Sequence, residues 1–275
     1  RLGLLHDSIL VFDQFQIDGT GHQVVVTGAI FGDDRDHLKL NFDQFQLQSL
    51  NPFLFPDESG SIQGLTNGTI DISSFKGSIP LFTSSLSVTD IGVDGDRLGD
   101  LSLNARVPTN YEIITVNGLL SDGPNKRVGL SGFVNTSKEH NGYNLQLQMD
   151  TTPLRLFEPI FEGLASQFEG TGKGRIDISG PLDDPSFKGK IHLSQAKFKV
   201  DYLNTYYSFN SSLNVSSTRF DLGRFKITDE NGNTGYCSGF ISHQNLQDFA
   251  LNIELSNLRN FLCLNTREED NEYYY

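Results

Sequence analysis

The chain has 275 residues, 21 Lys+Arg against 34 Asp+Glu for a net charge of −13, and 37% hydrophobic residues that include 21 Phe but no Trp. That much apolar material predicts a folded chain, and a surface this acidic repels phosphate backbones, so no nucleic-acid partner is expected. No apolar run approaches the length of a membrane-crossing helix, and the chain starts at Arg1 with no charged-then-apolar leader. It reads as part of a longer protein whose targeting signal and anchor lie elsewhere.

In chain order the predicted elements are strands. Phe12-Asp13-Gln14-Phe15-Gln16 returns at a spacing of 30 as Phe42-Asp43-Gln44-Phe45-Gln46, a short strand repeat. Between them lie Thr27-Gly28-Ala29-Ile30 and Leu38-Lys39-Leu40. After a turn at Asn67-Gly68, Ile70 and Ile72 flank Asp71; after the turn Asp122-Gly123-Pro124-Asn125 comes Ser131-Gly132-Phe133-Val134, and then Leu145 and Leu147 flank Gln146. The spacing of Leu154, Phe157, Ile160, Phe161, Leu164 and Phe168 predicts one short amphipathic helix over 153–168, limited by Pro159. Strands resume with Ile176 and Ile178 around Asp177, the turn Asp183-Asp184-Pro185, Ile191 and Leu193 around His192, and Phe198 and Val200 around Lys199. Past the turn Glu230-Asn231-Gly232-Asn233 come Ser238-Gly239-Phe240-Ile241 and the alternating Leu251, Ile253 and Leu255. A period of two places each alternating set on one face of a sheet, and Gly, Asn and Asp supply the turns.

An internal repeat organises these elements. Gly28, Gly132 and Gly239 are the second residues of matching tetrapeptides at spacings of 104 and 107, and the strand runs that begin at Leu38, Leu145 and Leu251 follow at 107 and 106. Gly68-Thr69-Ile70-Asp71-Ile72 matches Gly174-Arg175-Ile176-Asp177-Ile178 at 106. The expected architecture is all-β, one elongated repetitive sheet of the open, taco-like or solenoid kind with at most one or two short helices. Its units of about 106 residues run approximately over 1–50 (partial), 51–155 and 156–275, because stacked units bury an inner face that no unit buries alone.

Catalytic chemistry finds no foothold. The six histidines lack metal-ligand spacing, and Cys237 and Cys263 are expected as small buried apolar residues. Gly170 to Gly174 lacks the Lys-Ser/Thr ending of a phosphate loop and reads as a turn before a strand. Asp33-Asp34-Arg35-Asp36 and Asp94-Gly95-Asp96 lack calcium-loop spacing, and adjacent Asp183 and Asp184 on a turn do not make a glycosidase pair. No active site, metal or cofactor is assigned, and the chain is read as non-enzymatic. The Asn-x-Ser/Thr sequences at Asn67, Asn135, Asn210 and Asn214 have meaning as glycosylation sites only in a eukaryotic secretory setting.

The run Gly174 to Leu182, followed by Asp184-Pro185-Ser186-Phe187-Lys188-Gly189-Lys190-Ile191, resembles the glycine-bounded strand motif of the TamB family within the AsmA-like superfamily. Tyr206-Tyr207-Ser208-Phe209, Gly235 to Ile241, Leu264-Asn265-Thr266 and Asp270 to Tyr274 resemble the C-terminal part of Bacteroidetes-type members. The resemblance covers roughly 150–275; residues 50–110 depart from it in lacking the Gly-Pro-Leu turn after Ile72. It implies a periplasmic segment of an inner-membrane-anchored, envelope-spanning protein, with phospholipid as cargo and an outer-membrane BamA/TamA-like β-barrel protein as partner. The function so implied is lipid transfer along an apolar groove, with residues 70, 72, 145, 147, 176, 178, 191, 193, 198, 200, 251, 253 and 255 as groove candidates. The alternative is a module for outer-membrane protein assembly or docking that acts by β-strand augmentation.

Overall fold

Alternation of apolar and polar residues, broken by Gly, Asn and Asp turns, gives strands paired with their chain neighbours. The computed structural model describes residues 2–5, 9–19, 22–57, 60–109, 111–123, 127–244 and 246–266. Among them are sixteen strands: β1 (Leu2–Leu5), β2 (Ile9–Gly19), β3 (His22–Ile30), β4 (His37–Gln46), β5 (Ile62–Ser74), β6 (Leu81–Val93), β7 (Asp96–Val107), β8 (Ile113–Ser121), β9 (Arg127–Asn135), β10 (Gly142–Pro153), β11 (Ala165–Gly180), β12 (Ser186–Val200), β13 (Thr205–Ser216), β14 (Arg219–Asp229), β15 (Thr234–Gln244) and β16 (Gln247–Ser256). Each strand is hydrogen-bonded to the strands before and after it in the chain, in an antiparallel sheet that is not closed. The expected all-β, repetitive sheet is the fold observed.

Helical structure is short: turns at Leu47–Leu50 and Asn51–Leu54, a 3-10 helix at Leu154–Phe161 and a single turn at Asp201–Leu203. The helix expected over 153–168 stops early. Gly163 takes a φ of 76°, and Phe168 falls in β11 instead. Residues 267–275, with the Asp270–Tyr274 stretch of the resemblance, lie outside the described residues, as do His6, Pro124 and Asn125.

The chain divides into two compact units, residues 1–145 and 146–275, with the division inside β10. Two backbone devices recur in both. The repeat glycines Gly28, Gly132 and Gly239 hold φ near +130°, and a Cβ on them would lie 2.0–2.1 Å from the carbonyl oxygen of His37, Asn144 or Asn252 on the following strand. Only glycine meets both demands, which is why these positions repeat.

The second device is a β-bulge at a left-handed residue: Gln14 and Gln44 (φ 49° and 48°), Asp90, Gln167 and Gln195. The ladder registers jump across these five residues, from Phe12 to Phe15, Phe42 to Phe45, Val88 to Ile91, Ser166 to Glu169 and Leu193 to Ala196. One extra residue brings side chains i and i+3, rather than i and i+2, to the same face. This explains the thirty-residue repeat: Phe12 meets Phe15, and Phe42 meets Phe45, edge to face at 6.2 and 5.8 Å. A bulge frees a backbone N–H, and side chains capture it: Gln44 donates to Asn67 Oδ1 (2.9 Å), Asp90 to Asp100 Oδ1 (3.0 Å), Gln167 to Glu158 Oε1 (2.8 Å) and Gln195 to Asn210 Oδ1 (2.7 Å). Asn67 and Asn210 thus hold structural acceptor roles.

Candidate functional site

In the second unit the strands enclose an apolar space. Laid flat, β11 and β16 would stand five strand spacings, roughly 24 Å, apart. Phe161 of the 154–161 helix instead stacks on Phe168 of β11 (ring centroids 5.6 Å) and on Phe249 of β16 (5.4 Å), with Phe220 of β14 at 6.1 Å. The sheet is therefore curled, and the helix lies on its concave face. Bulges at Gln167 and Gln195 sharpen local bending and twist in the strands that curl.

The concave face bounds an open trough of about 720 Å³. Thirty-two residues line it, and not one is charged; the Tyr207 hydroxyl and the Cys237 thiol are the only polar side-chain groups among them. Phenylalanines run across its floor from the helix outwards, Phe161 to Phe168, Phe198, Phe209 and Phe225, with successive centroids 5.6, 5.5, 5.6 and 4.6 Å apart. Such pairs contribute about 0.5–1.5 kcal/mol each beyond the area they bury. Two buried clusters, one around Phe209, Phe225 and Ile227 and the other around Met149, Ile191 and Phe220, meet at Phe157 and Leu193.

Ten of the thirteen groove candidates line this trough: Leu147, Ile176, Ile178, Ile191, Leu193, Phe198, Val200, Leu251, Ile253 and Leu255. The register shows how. Ile178 faces Phe187 across β11 and β12, Ile191 faces Leu213, Phe198 faces Tyr207, and Ile241 faces Leu251. The other three lie in the first unit, where Ile70 faces Leu40 and Ile72 faces Leu38 in half-buried pairs, and Leu145 is half-buried at the end of that unit. Sequence reasoning missed Phe209, Phe220, Phe225 and Ile227 as trough residues, although aromatic density in β13 and β14 was a usable signal. Leu154, Phe157, Ile160 and Phe161 were read as one apolar helix face, and all four line the trough.

The trough has no reactive group. Burial pushes the Cys237 thiol up to about 11 and the Tyr207 phenol up to about 12, so both stay protonated at neutral pH. Tyr207 also donates towards the carbonyls of Leu262 and Cys263 (both 3.2 Å) and stacks on Phe261 with nearly parallel rings. Residues 257–266 are held to the rest of the unit by Asp229, which accepts from the Leu262 N–H at 2.7 Å. Burial alone would raise the Asp229 pKa, but the donors on Leu262, Asn233 and Asn231 outweigh it and hold the carboxyl below its usual range.

The remaining polar motifs are structural. Among the described residues no group of three or more His, Cys, Asp or Glu side chains could hold a metal. Asp94 and Gly95 both have positive φ and form the β6–β7 hairpin turn, while Asp36 accepts from the N–H groups of Phe31 and Gly32. Asp183 and Asp184 are exposed on the β11–β12 turn. Gly170 to Gly174, expected as a turn, lies wholly inside β11, where a Cβ on Gly172 would press on Met149. Compared with known proteins, the chain matches no family model, no curated protein and no solved structure.

Proposed function

We propose that the second unit is a lipid-holding segment of TamB type, in which the trough shelters phospholipid acyl chains while the headgroup stays in solvent. The observation that carries this reading is a trough of about 720 Å³ without one charged lining residue. A closed void of that size left empty would cost on the order of 17 kcal/mol at about 24 cal/mol per Å³, more than the whole stability of an ordinary domain. Such a space persists by standing open or by being filled. Water is a poor filler where the one hydroxyl is already engaged. Hydrocarbon fills it with no polar group left unpaired: at about 0.8 kcal/mol per buried methylene, an acyl chain of about fifteen methylenes gains about 12 kcal/mol.

In this reading the chain belongs to a periplasmic, inner-membrane-anchored protein, passes lipid between the two membranes and works with an outer-membrane β-barrel partner. It carries out no chemistry and uses no cofactor. The test is photocrosslinking in the intact chain. Photoreactive residues at Ile178 and Leu193 are expected to capture phospholipid from cells and to co-purify with it by mass spectrometry. Absence of lipid from both positions would overturn the proposal. If a proline placed in an edge strand abolished activity while polar substitutions in the trough did not, the strand-augmentation alternative would replace it.

A further inference from the structure

No charged residue lines the trough, so any electrostatic preference among phospholipids arises from what surrounds it. Strands β11–β16 contain nine Lys and Arg residues, and none of them is in the lining. In the strand register they alternate with inner residues, as Lys190 does with Ile191, Lys197 with Phe198, and Lys226 with Phe225 and Ile227. They therefore project from the convex face. Four are paired there: Lys173 with Asp150 (3.0 Å), Arg175 with Asp177 (2.7 Å), Lys197 with Glu169 (2.8 Å) and Arg219 with Asp221 (3.2 Å). Arg224 lies over the ring of Tyr236 on the same face.

The ends of the strands carry the opposite sign. Among the described residues, the segments that precede, join or follow β11–β16 hold six carboxylates, Glu158, Glu162, Asp183, Asp184, Asp201 and Glu230, against two cations, Arg155 and Arg259. Strand β16, at the edge of the sheet, adds Asp248 and Glu254 and no cation. Glu162, Asp183 and Asp184 are exposed. A headgroup left in solvent while its tails lie in the trough therefore meets carboxylates, whereas the strand cations stand behind the sheet. Each exposed charge acts weakly through water, but several of one sign add up to a preference of about fivefold at low salt.

We infer that the trough selects among phospholipids by headgroup charge, taking zwitterionic lipids whose terminal ammonium can approach these carboxylates, such as phosphatidylethanolamine, over lipids with a net negative headgroup, such as phosphatidylglycerol. This inference rests on the lipid-holding reading of the trough.

The test incubates the full chain with vesicles of phosphatidylethanolamine and phosphatidylglycerol in equal parts, re-isolates it and measures both bound lipids by mass spectrometry. At about 10 mM salt, where charges act over about 30 Å, the ratio of phosphatidylethanolamine to phosphatidylglycerol on the chain is expected to exceed that of the vesicles about fivefold. At about 1 M salt, where they act over about 3 Å, it should fall to that of the vesicles. The triple variant Glu162→Gln, Asp183→Asn, Asp184→Asn is expected to lower the low-salt ratio about twofold. All three side chains are exposed, so the variant keeps the fold, and crosslinking at Ile178 reports whether lipid still enters. Equal binding or an excess of phosphatidylglycerol at low salt, or a preference that either about 1 M salt or the triple variant leaves unchanged, overturns the selection while the lipid-holding reading stands. If neither lipid is bound and Ile178 captures none, both fall together.

Discussion

In the first unit the buried apolar side chains among the described residues are Val24, Ala29, Val88 and Val107, and buried Thr66, Ser74 and Ser84 share its interior. The second unit buries Met149, Tyr207, Phe209, Phe220, Phe225 and Ile227 with smaller companions. Yet the backbones use the same parts: glycines near φ +130°, left-handed bulge residues and captured bulge N–H groups occur in both. The difference teaches that strand geometry and apolar filling are separable. Bulges and glycines shape the sheet, and aromatic residues on the inner positions decide whether the shape encloses hydrocarbon-like space.

The sharpest way to break the comparison is to truncate one aromatic in each unit. Phe225→Ala, in the buried Phe209 cluster, is expected to destabilise the second unit by about 3–5 kcal/mol, whereas Phe53→Ala should stay within about 0.5 kcal/mol. Hydrogen exchange resolved by peptide measures both, and equal losses would remove the distinction between the units.

Acid should come next. His243 is buried, stacks against Phe220, and accepts from the Leu246 N–H at Nδ1, which leaves the proton on Nε2. Burial lowers its pKa below 6.5, outweighing the backbone of Ser216, which acts the other way. The unfolded ring binds a proton before the folded one does, so this contribution is complete above pH 6.5 and declines as pH falls towards the folded value. His243→Asn, which keeps an acceptor near Nδ1, is expected to flatten the pH dependence of exchange protection in β14 and β15.

The smallest effect should be equal in both units. Asn67→Ala and Asn210→Ala each remove the acceptor of a bulge N–H, at about 1 kcal/mol apiece by denaturant unfolding. A loss confined to one of them would mean that the bulges are not equivalent.

Much of this was legible in the residues. The glycine tetrapeptides announced a backbone demand that no other residue meets, so their spacing located equivalent strand pairs. Alternating Ile176/Ile178 and Ile191/Leu193 located inner positions, because a period of two survives wherever the ladder is regular. The bulges were not legible: Gln carries no mark of left-handed backbone, and Gln14 and Gln44 stood out only through the phenylalanines that they bring together. The end of the helix was misplaced because Phe168 continues the helical spacing across Gly163 while lining the same trough from a strand. Curling was illegible as well, since it depends on contacts such as Phe161 with Phe249, far apart in the chain.

The bulge at Gln195 also fixes which half of β12 faces which way. Before it the odd-numbered Phe187, Ile191 and Leu193 point into the trough, and after it the even-numbered Ala196, Phe198 and Val200 do. Straightening that bulge while keeping all of its residues would reverse the parity of the strand's far half, turning Phe198 and Val200 out to water and swinging Lys197 and Lys199 inwards. A change of backbone conformation at a single neutral residue, far from any turn, would thus place two ammonium groups in the apolar trough.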